Sequence, residues 1–234
     1  MLMGLILGGF NKCVVVDTNL SWNTHIHTVV SKANRVLWLL KRALGYGAPS
    51  SVSKKLYLSF VRSLLEYCPQ VWSGTTKHNI IAIERVQISA TKCILGYPET
   101  GYKERLEELD ILPLSYRREI VDTCFLFKCL NAEYNVEIFD FVSALSDGTR
   151  STPNNNGTHK LKPVLCRTEG FKRSYFNRVV HTWNLLPEQC RLSSDTHSFK
   201  KNVNDFFYNE RAQHFNADNV CTWRLKCLCP CCHL

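Results

Sequence analysis

Cys221, Cys227, Cys229, Cys231, Cys232 and His233 fall within the last 14 residues of this 234-residue chain. Thiolates and imidazoles at short spacing are zinc chemistry. The ion takes four Cys or His ligands in a tetrahedron, and close spacing lowers the entropy cost of closing the site. Cys229 and Cys232 form a Cys-x-x-Cys knuckle, with Cys221 and Cys227 as the completing pair and Cys231 or His233 as substitutes. The gap before Cys227 is longer than in a common zinc knuckle. A second reading therefore stays open: an unstructured tail with free thiols or adventitious disulfides. The other seven cysteines, Cys13, Cys68, Cys93, Cys124, Cys129, Cys166 and Cys190, are scattered, several of them on apolar helix faces. They read as small buried hydrophobes in a reducing, intracellular compartment, nucleus or cytoplasm.

A second set of residues carries charge. Of a net +9, +8 resides in residues 18–98, where Lys32, Arg35, Lys41, Arg42, Lys54, Lys55, Arg62, Lys77, Arg85 and Lys92 face only Glu66 and Glu84. A basic block on folded elements is the electrostatic footprint of something that holds a polyanion. The pairs Arg35/Arg42, Lys55/Arg62 and Arg85/Lys92 are each seven residues apart, two turns along one helix face. Three such rows would line a groove with cations at phosphate-like intervals, although solvated surface charge produces the same spacing by coincidence. The candidate contacts to nucleic acid are Lys32, Arg35, Arg42, Lys54, Lys55, Arg62, Arg85 and Lys92. Residues 99–147 are acidic, eleven acids against five bases, and 150–178 are basic again, seven bases against Glu169.

Other chemistry is poorly provided for. Polymerases hold two Mg²⁺ about 4 Å apart on carboxylates that include an adjacent Asp pair, and this chain has no Asp-Asp. Its one adjacent acid pair, Glu107-Glu108, lies in a short helical stretch and reads as a solvated face. No phosphate-binding Gly-rich loop, Gly-x-Ser-x-Gly string or His-Glu-x-x-His helix occurs. His25, His27 and the remaining histidines have no ligand spacing. Asn156-Gly157-Thr158 matches a glycosylation acceptor but lacks a secretory signal. Met1–Phe10 is apolar yet short, without a leading positive charge or cleavage-like end, and reads as the false start of a truncated reading frame. No apolar run approaches the roughly 18 residues needed to cross a membrane.

Several elements must position the basic rows. Val14–Val16 and Leu20–Trp22 read as a strand pair around a Thr18-Asn19 turn. Asn23 or Thr24 caps a helix to about Leu44, with Ile26, Val29, Val30, Ala33, Val36, Leu37, Leu40 and Leu44 in one stripe. Lys32, Arg35 and Arg42 lie opposite, with Trp38 and Leu39 between. Trp38 among arginines reads either as a stacking surface for bases or as a second packing contact. After Gly45–Pro49, Ser50 or Ser51 caps a helix whose residues 52–67 are apolar nearly all round, a buried central helix with a strip of Lys55, Ser59, Arg62 and Glu66. A third helix runs about 77–95, with Ile80, Ile83, Val86, Ala90 and Ile94 inward and Gly96 and Pro98 closing it. A short acidic helix at 102–110 and a longer one from Pro113 to about Asn131 follow. Residues 143–162 are polar and rich in Asn, Gly and Pro, a linker. Beyond it come a strand-like piece Leu161–Arg167, a segment Phe171–Leu186 and a helix Thr196–Asn209.

The order of these pieces resembles one family. The strings Cys13–Ile26 (CVVVDTNLSWNTHI), Lys55–Trp72 (KLYLSFVRSLLEYCPQVW), Ile83–Gly96 (IERVQISATKCILG), Cys166–Pro187 (CRTEGFKRSYFNRVVHTWNLLP) and Ser198–Lys201 (SFKK) are similar to the C-terminal part of non-LTR retrotransposon reverse transcriptases, of the jockey-like long interspersed elements. The resemblance covers about residues 13–234. Asn11-Lys12-Cys13 stands where that family usually has Asp-Leu-Gly. It implies that residues 13–24 end a palm hairpin and that 25–97 form a helical thumb that cradles a template–primer duplex by its phosphates. The catalytic palm, its Mg²⁺ and the fingers would then lie outside this chain.

Together these readings give a mainly α fold: a helical thumb-like bundle after a short β-hairpin, then a small α+β C-terminal region with a Cys-rich tail. The expected segments are 1–12 as a non-homologous start, 13–24, 25–142 as thumb and connecting helices, 143–162 as linker, 163–215, and 216–234 as the tail. The expected function is binding of a nucleic-acid duplex or RNA–DNA hybrid, without polymerase activity and without a membrane. Two alternatives stay open. One is a protein-interaction module whose apolar helices dock on a partner such as a palm and fingers; the other is a pseudogene-derived fragment without selected function. Salt dependence of binding separates the first alternative from nucleic-acid binding.

Overall fold

The computed structural model describes residues 3–6, 13–19, 21–45, 48–96, 99–131, 134, 141–143 and 160–215. The cysteine cluster at 221–233 and most of the expected linker lie outside the described residues. The chain divides into two compact units: one holds the described residues up to Arg118 together with those from Ala212 on, and the other holds Glu119–Arg211. The division falls at 118/119 and 211/212, each inside a helix, and not in the polar 143–162 segment.

The first unit opens with two strands, β1 (Met3–Ile6) and β2 (Cys13–Val16), paired antiparallel with Met3 opposite Val16 and Ile6 opposite Cys13. The expected partner of Val14–Val16 was Leu20–Trp22; the pairing runs instead to the earlier apolar segment. Asp17 explains why the chain does not turn back after Asn19. Its carboxylate accepts from the Ser21 backbone N–H at 2.9 Å and from the Ser21 hydroxyl, a side-chain-closed turn that feeds straight into a helix.

That helix, α1 (Asn23–Leu44), starts on Trp22 in the left-handed region (φ 58) rather than on a side-chain cap from Asn23 or Thr24. It buries Ile26, Ala33 and Leu37 from the expected stripe, and it ends where Gly45 adopts φ 62, a conformation glycine takes without a Cβ clash.

Next come α2 (Ser50–Leu56), a π-helical stretch Tyr57–Arg62 and α3 (Ser63–Leu65), which run on without a break. The expectation of a helix buried all round is corrected here. Tyr57, Val61 and Leu65, four apart, face the core, while Phe60 is 56% exposed and Val52 is exposed too. A π-turn holds more residues than an α-turn, so it rotates the face downstream of Tyr57; Leu56, Leu58 and Leu64 are half-buried.

Then follow α4 (Pro69–Trp72), α5 (Lys77–Leu95) and α6 (Tyr102–Glu108). Helix α5 packs Ile80, Ile83, Val86 and Ala90 inward and ends on Gly96 at φ 68. Trp72 is buried, and its indole N–H donates to the Tyr67 carbonyl at 2.8 Å.

Helix α7 (Leu114–Leu130) passes from the first unit into the second. The second unit adds α8 (Glu169–Lys172), α9 (Tyr175–Leu185), α10 (Glu188–Arg191) and most of α11 (Thr196–His214). Its core is aromatic. Phe127 and Phe199 stack at 4.2 Å, and Trp183 lies 5.6 Å from Phe199. Arg178 pairs with the fully buried Asp122, whose backbone carbonyl accepts the Tyr175 hydroxyl at 2.8 Å. Asp195 caps α11 by accepting from the backbone N–H groups of His197 and Ser198 and from the Ser198 hydroxyl; those hydrogen bonds hold its carboxyl down at about 2.

The strand expected at Leu161–Arg167 does not form among the described residues; only Leu161 makes a bridge. Asn184 takes the partner's place, accepting from the Leu161 N–H at 2.8 Å and donating to its carbonyl at 2.7 Å. A side-chain amide thereby satisfies both backbone groups that a strand neighbour would have served. The described C-terminal region is thus helical, not α+β.

Candidate nucleic-acid interface

Helices α1 and α5 lie side by side and run in the same direction. The Asn79 side chain at the start of α5 donates to Asn23 Oδ1 at the start of α1 (2.7 Å), and Lys41 Nζ near the end of α1 reaches Ser89 Oγ on α5 at 3.4 Å. Their C-terminal ends therefore come together. There they bound a cleft of about 1030 Å³ with α2, lined by Trp38, Lys41, Arg42, Ser53, Ser89 and Lys92 over a floor of leucines and isoleucine. No Asp or Glu is among the described residues that line it.

The two helix ends explain part of the basic clustering. Unsatisfied carbonyls give a helix C-terminus a partial negative charge, which last-turn cations offset. Lys41 and Arg42 occupy the last turn of α1 and Lys92 that of α5. The Gly45 and Gly96 N–H groups also cap the Lys41 and Lys92 carbonyls, at 3.2 and 2.9 Å.

The expected contacts fare differently from one another. Lys32, Arg35, Arg42, Lys55, Arg85 and Lys92 are exposed, and Lys54 is half-buried. None of these seven makes an ion pair among the described residues. Arg42 and Lys92, from different helices, meet at the cleft. The rows Arg35/Arg42 and Arg85/Lys92 sit in unbroken α-helix and keep their two-turn spacing. The Lys55/Arg62 row does not. It spans the π-helical stretch, so seven residues no longer bring the second side chain back above the first. Arg62 is instead half-buried, 3.6 Å from Glu66.

The two acids of the block are withdrawn from the surface. Glu66 receives two parallel hydrogen bonds from the Arg117 guanidinium, at 2.9 and 3.1 Å. Glu84 is 0% exposed, and its Oε1 accepts from the Tyr102 hydroxyl (2.6 Å) and the Leu114 N–H (3.1 Å). Gln87 joins the same interior network: its Oε1 accepts from the Tyr57 hydroxyl at 2.7 Å, and its amide donates to Tyr102 Oη and the Leu112 carbonyl. Burial pushes the Glu84 carboxyl up, against the opposing pull of the Tyr102 hydrogen bond and Arg118. Burial likewise raises the phenols of Tyr57 and Tyr102 well above the usual range. The folded surface of the block is accordingly cationic with little acidic relief.

Two residues outside the expected set belong to this face. Lys41 lines the cleft beside Arg42, and Trp38 is 55% exposed with the Arg42 guanidinium 5.5 Å from its ring centre. Trp38 and Leu39 are both exposed on α1, so neither is a fully buried packing contact. The signal for Lys41 was available: it stands three residues after Trp38, one helical turn on the same side.

His25 is buried and serves the fold. Its Nδ1 accepts from the Val15 N–H at 3.3 Å, its ring lies 5.9 Å from Trp72, and burial together with Lys32 pulls its pKa down. Among the described residues no group of three or more His, Cys, Asp or Glu is placed to hold a metal ion, and no helix is long and apolar enough to cross a membrane. No family model, curated protein or solved structure matches the chain.

Proposed function

We propose that the first unit binds the sugar–phosphate backbone of a nucleic-acid duplex or RNA–DNA hybrid through the exposed cations of α1, α2 and α5, without polymerase chemistry of its own. One observation carries the reading: the fold buries or pairs Glu66 and Glu84 and leaves Lys32, Arg35, Arg42, Lys55, Arg85 and Lys92 at the surface without ion pairs among the described residues. Phosphates are the ligand that such a surface attracts, and they are read without regard to base sequence. The resemblance to the thumb of non-LTR retrotransposon reverse transcriptases points the same way. The duplex, the parent enzyme and a zinc-holding tail at Cys221, Cys227, Cys229 and Cys232 are part of this proposal. Fluorescence anisotropy with a labelled hybrid duplex tests it: affinity should fall by at least about 100-fold between about 50 and about 200 mM salt. Salt-independent binding, or none, would contradict it.

A second reading has its own support. Trp38 and Leu39 on α1, Val52 on α2 and Phe60 on the π-helical stretch are exposed large apolar side chains. They would suit a protein partner such as a palm and fingers. Binding to such a partner would persist at high salt.

A further inference from the structure

The cleft between the ends of α1 and α5 has an inside and a rim of different chemistry. Inside, Leu37, Leu40, Leu44, Ile94 and Leu95 supply apolar walls, while Ser53 and Ser89 supply hydroxyls. The convergent helix C-termini make the interior unwelcoming to a full negative charge. The rim carries Lys41, Arg42 and Lys92, and the exposed indole of Trp38 stands beside Arg42. Its volume of about 1030 Å³ is at the upper end of ordinary small-ligand sites.

We infer that this cleft takes the unpaired nucleotides at the end of a duplex, with a base entering it against Trp38 and the flanking phosphates held outside by Lys41, Arg42 and Lys92. Charge complementarity selects an anion for the rim. A base has a flat π-face for the indole and polar edges for Ser53 and Ser89, groups that a plain acyl chain would leave unused. Stacking on an aromatic side chain tolerates every base, so the preference is for single-stranded ends and not for a sequence. The inference rests on the duplex-binding reading and specifies where that duplex ends.

The test compares three labelled duplexes: blunt, with a short single-stranded overhang, and with an overhang of the same phosphate count lacking bases. The intact chain should bind the base-bearing overhang about tenfold more tightly than the abasic one. Trp38→Leu should abolish that difference; Leu39→Ala, at the neighbouring exposed residue, should leave the difference intact. A thermal melt verifies that Trp38→Leu is folded, and Arg42→Gln with Lys92→Gln provides a second variant, expected to weaken both overhangs alike. Equal affinity for the two overhangs, or a preference that survives Trp38→Leu, overturns the inference but leaves duplex binding standing. Tight binding of a fluorescent fatty acid, without an overhang preference, would assign the cleft to an acyl anion and overturn it too. Absence of salt-sensitive binding to all three duplexes removes the underlying reading as well.

Discussion

Asn79 Nδ2 donates to Asn23 Oδ1 at 2.7 Å, joining the first turn of α5 to the first turn of α1. The same amide donates to Thr75 Oγ1 at 2.7 Å. With the helix starts fixed together, their basic ends must meet at the cleft. Asn79→Ala removes both hydrogen bonds from a buried position and should destabilise the first unit by about 1–2 kcal/mol. A urea melt measures the loss; an unchanged midpoint would mean that the amide is not what holds the pair.

Glu84 should make wild-type stability depend on pH in an unusual direction. Its carboxyl is raised above the ordinary value of 4.5 in the folded state. Between 4.5 and that raised value the folded chain holds more protons than the unfolded one, so this residue's contribution falls as pH rises. Relative to wild type, Glu84→Gln should therefore gain stability on going from pH 4.5 to 7. Glu84→Leu, which strands the buried Tyr102 hydroxyl and Leu114 N–H, should cost about 2–5 kcal/mol at pH 4.5 and drift toward wild type as pH rises, as the Gln variant does. A Gln variant that tracks wild type across the range would contradict the assignment.

His25 works the other way. Burial lowers its pKa below 6.5 in the folded state, and the same holds for His181. Below pH 6.5 the unfolded chain then binds more protons than the folded one, so stability is full above 6.5 and is lost as pH falls. Protonation would also set an Nδ1–H against the Val15 N–H that it now accepts. His25→Phe should flatten part of the loss between pH 7.5 and 5.5 in chemical denaturation, and an unaltered slope would count against a buried neutral imidazole.

Much of this arrangement was readable in advance, and the failures have physical causes. Gly45 and Gly96 marked two helix ends correctly because a positive φ is cheap only for glycine. The sequence leaves the partner of Val14–Val16 ambiguous because short apolar runs on either side match equally well, and the Asp17–Ser21 turn decides between them. By residue type Glu84 reads as a surface charge, and the fold buries it. Its position four residues after Ile80 and three before Gln87 places it on the inward stripe of α5, so the spacing held the answer that the residue type obscured. The π-helical stretch leaves no periodic signature, and it cost both the fully buried helix and the Lys55/Arg62 row. The strings that carried the resemblance turn out to hold structural residues: Glu84 and Gln87 in one, Trp72 and Glu66 in another, Arg178, Trp183 and Asn184 in a third.

The cysteine tail is open to direct analysis. Reduced protein made in zinc-containing medium should carry about one zinc per chain, since metal ligation supplies on the order of 10 kcal/mol to such small sites. Cys227→Ser with Cys229→Ser should release it. A metal-free wild-type protein would leave the tail as free thiols.

The most direct measurement is the salt slope of duplex binding in three variants. Each lost phosphate contact lowers the magnitude of the log K against log salt slope by about 0.9. Arg35→Ala with Arg42→Ala, and Arg85→Ala with Lys92→Ala, should each reduce it by about 2. Arg62→Ala should leave it unchanged, because that guanidinium lies against Glu66. Slopes that do not change in the two exposed-row variants, or that change most in Arg62→Ala, would contradict a phosphate-binding surface on α1 and α5.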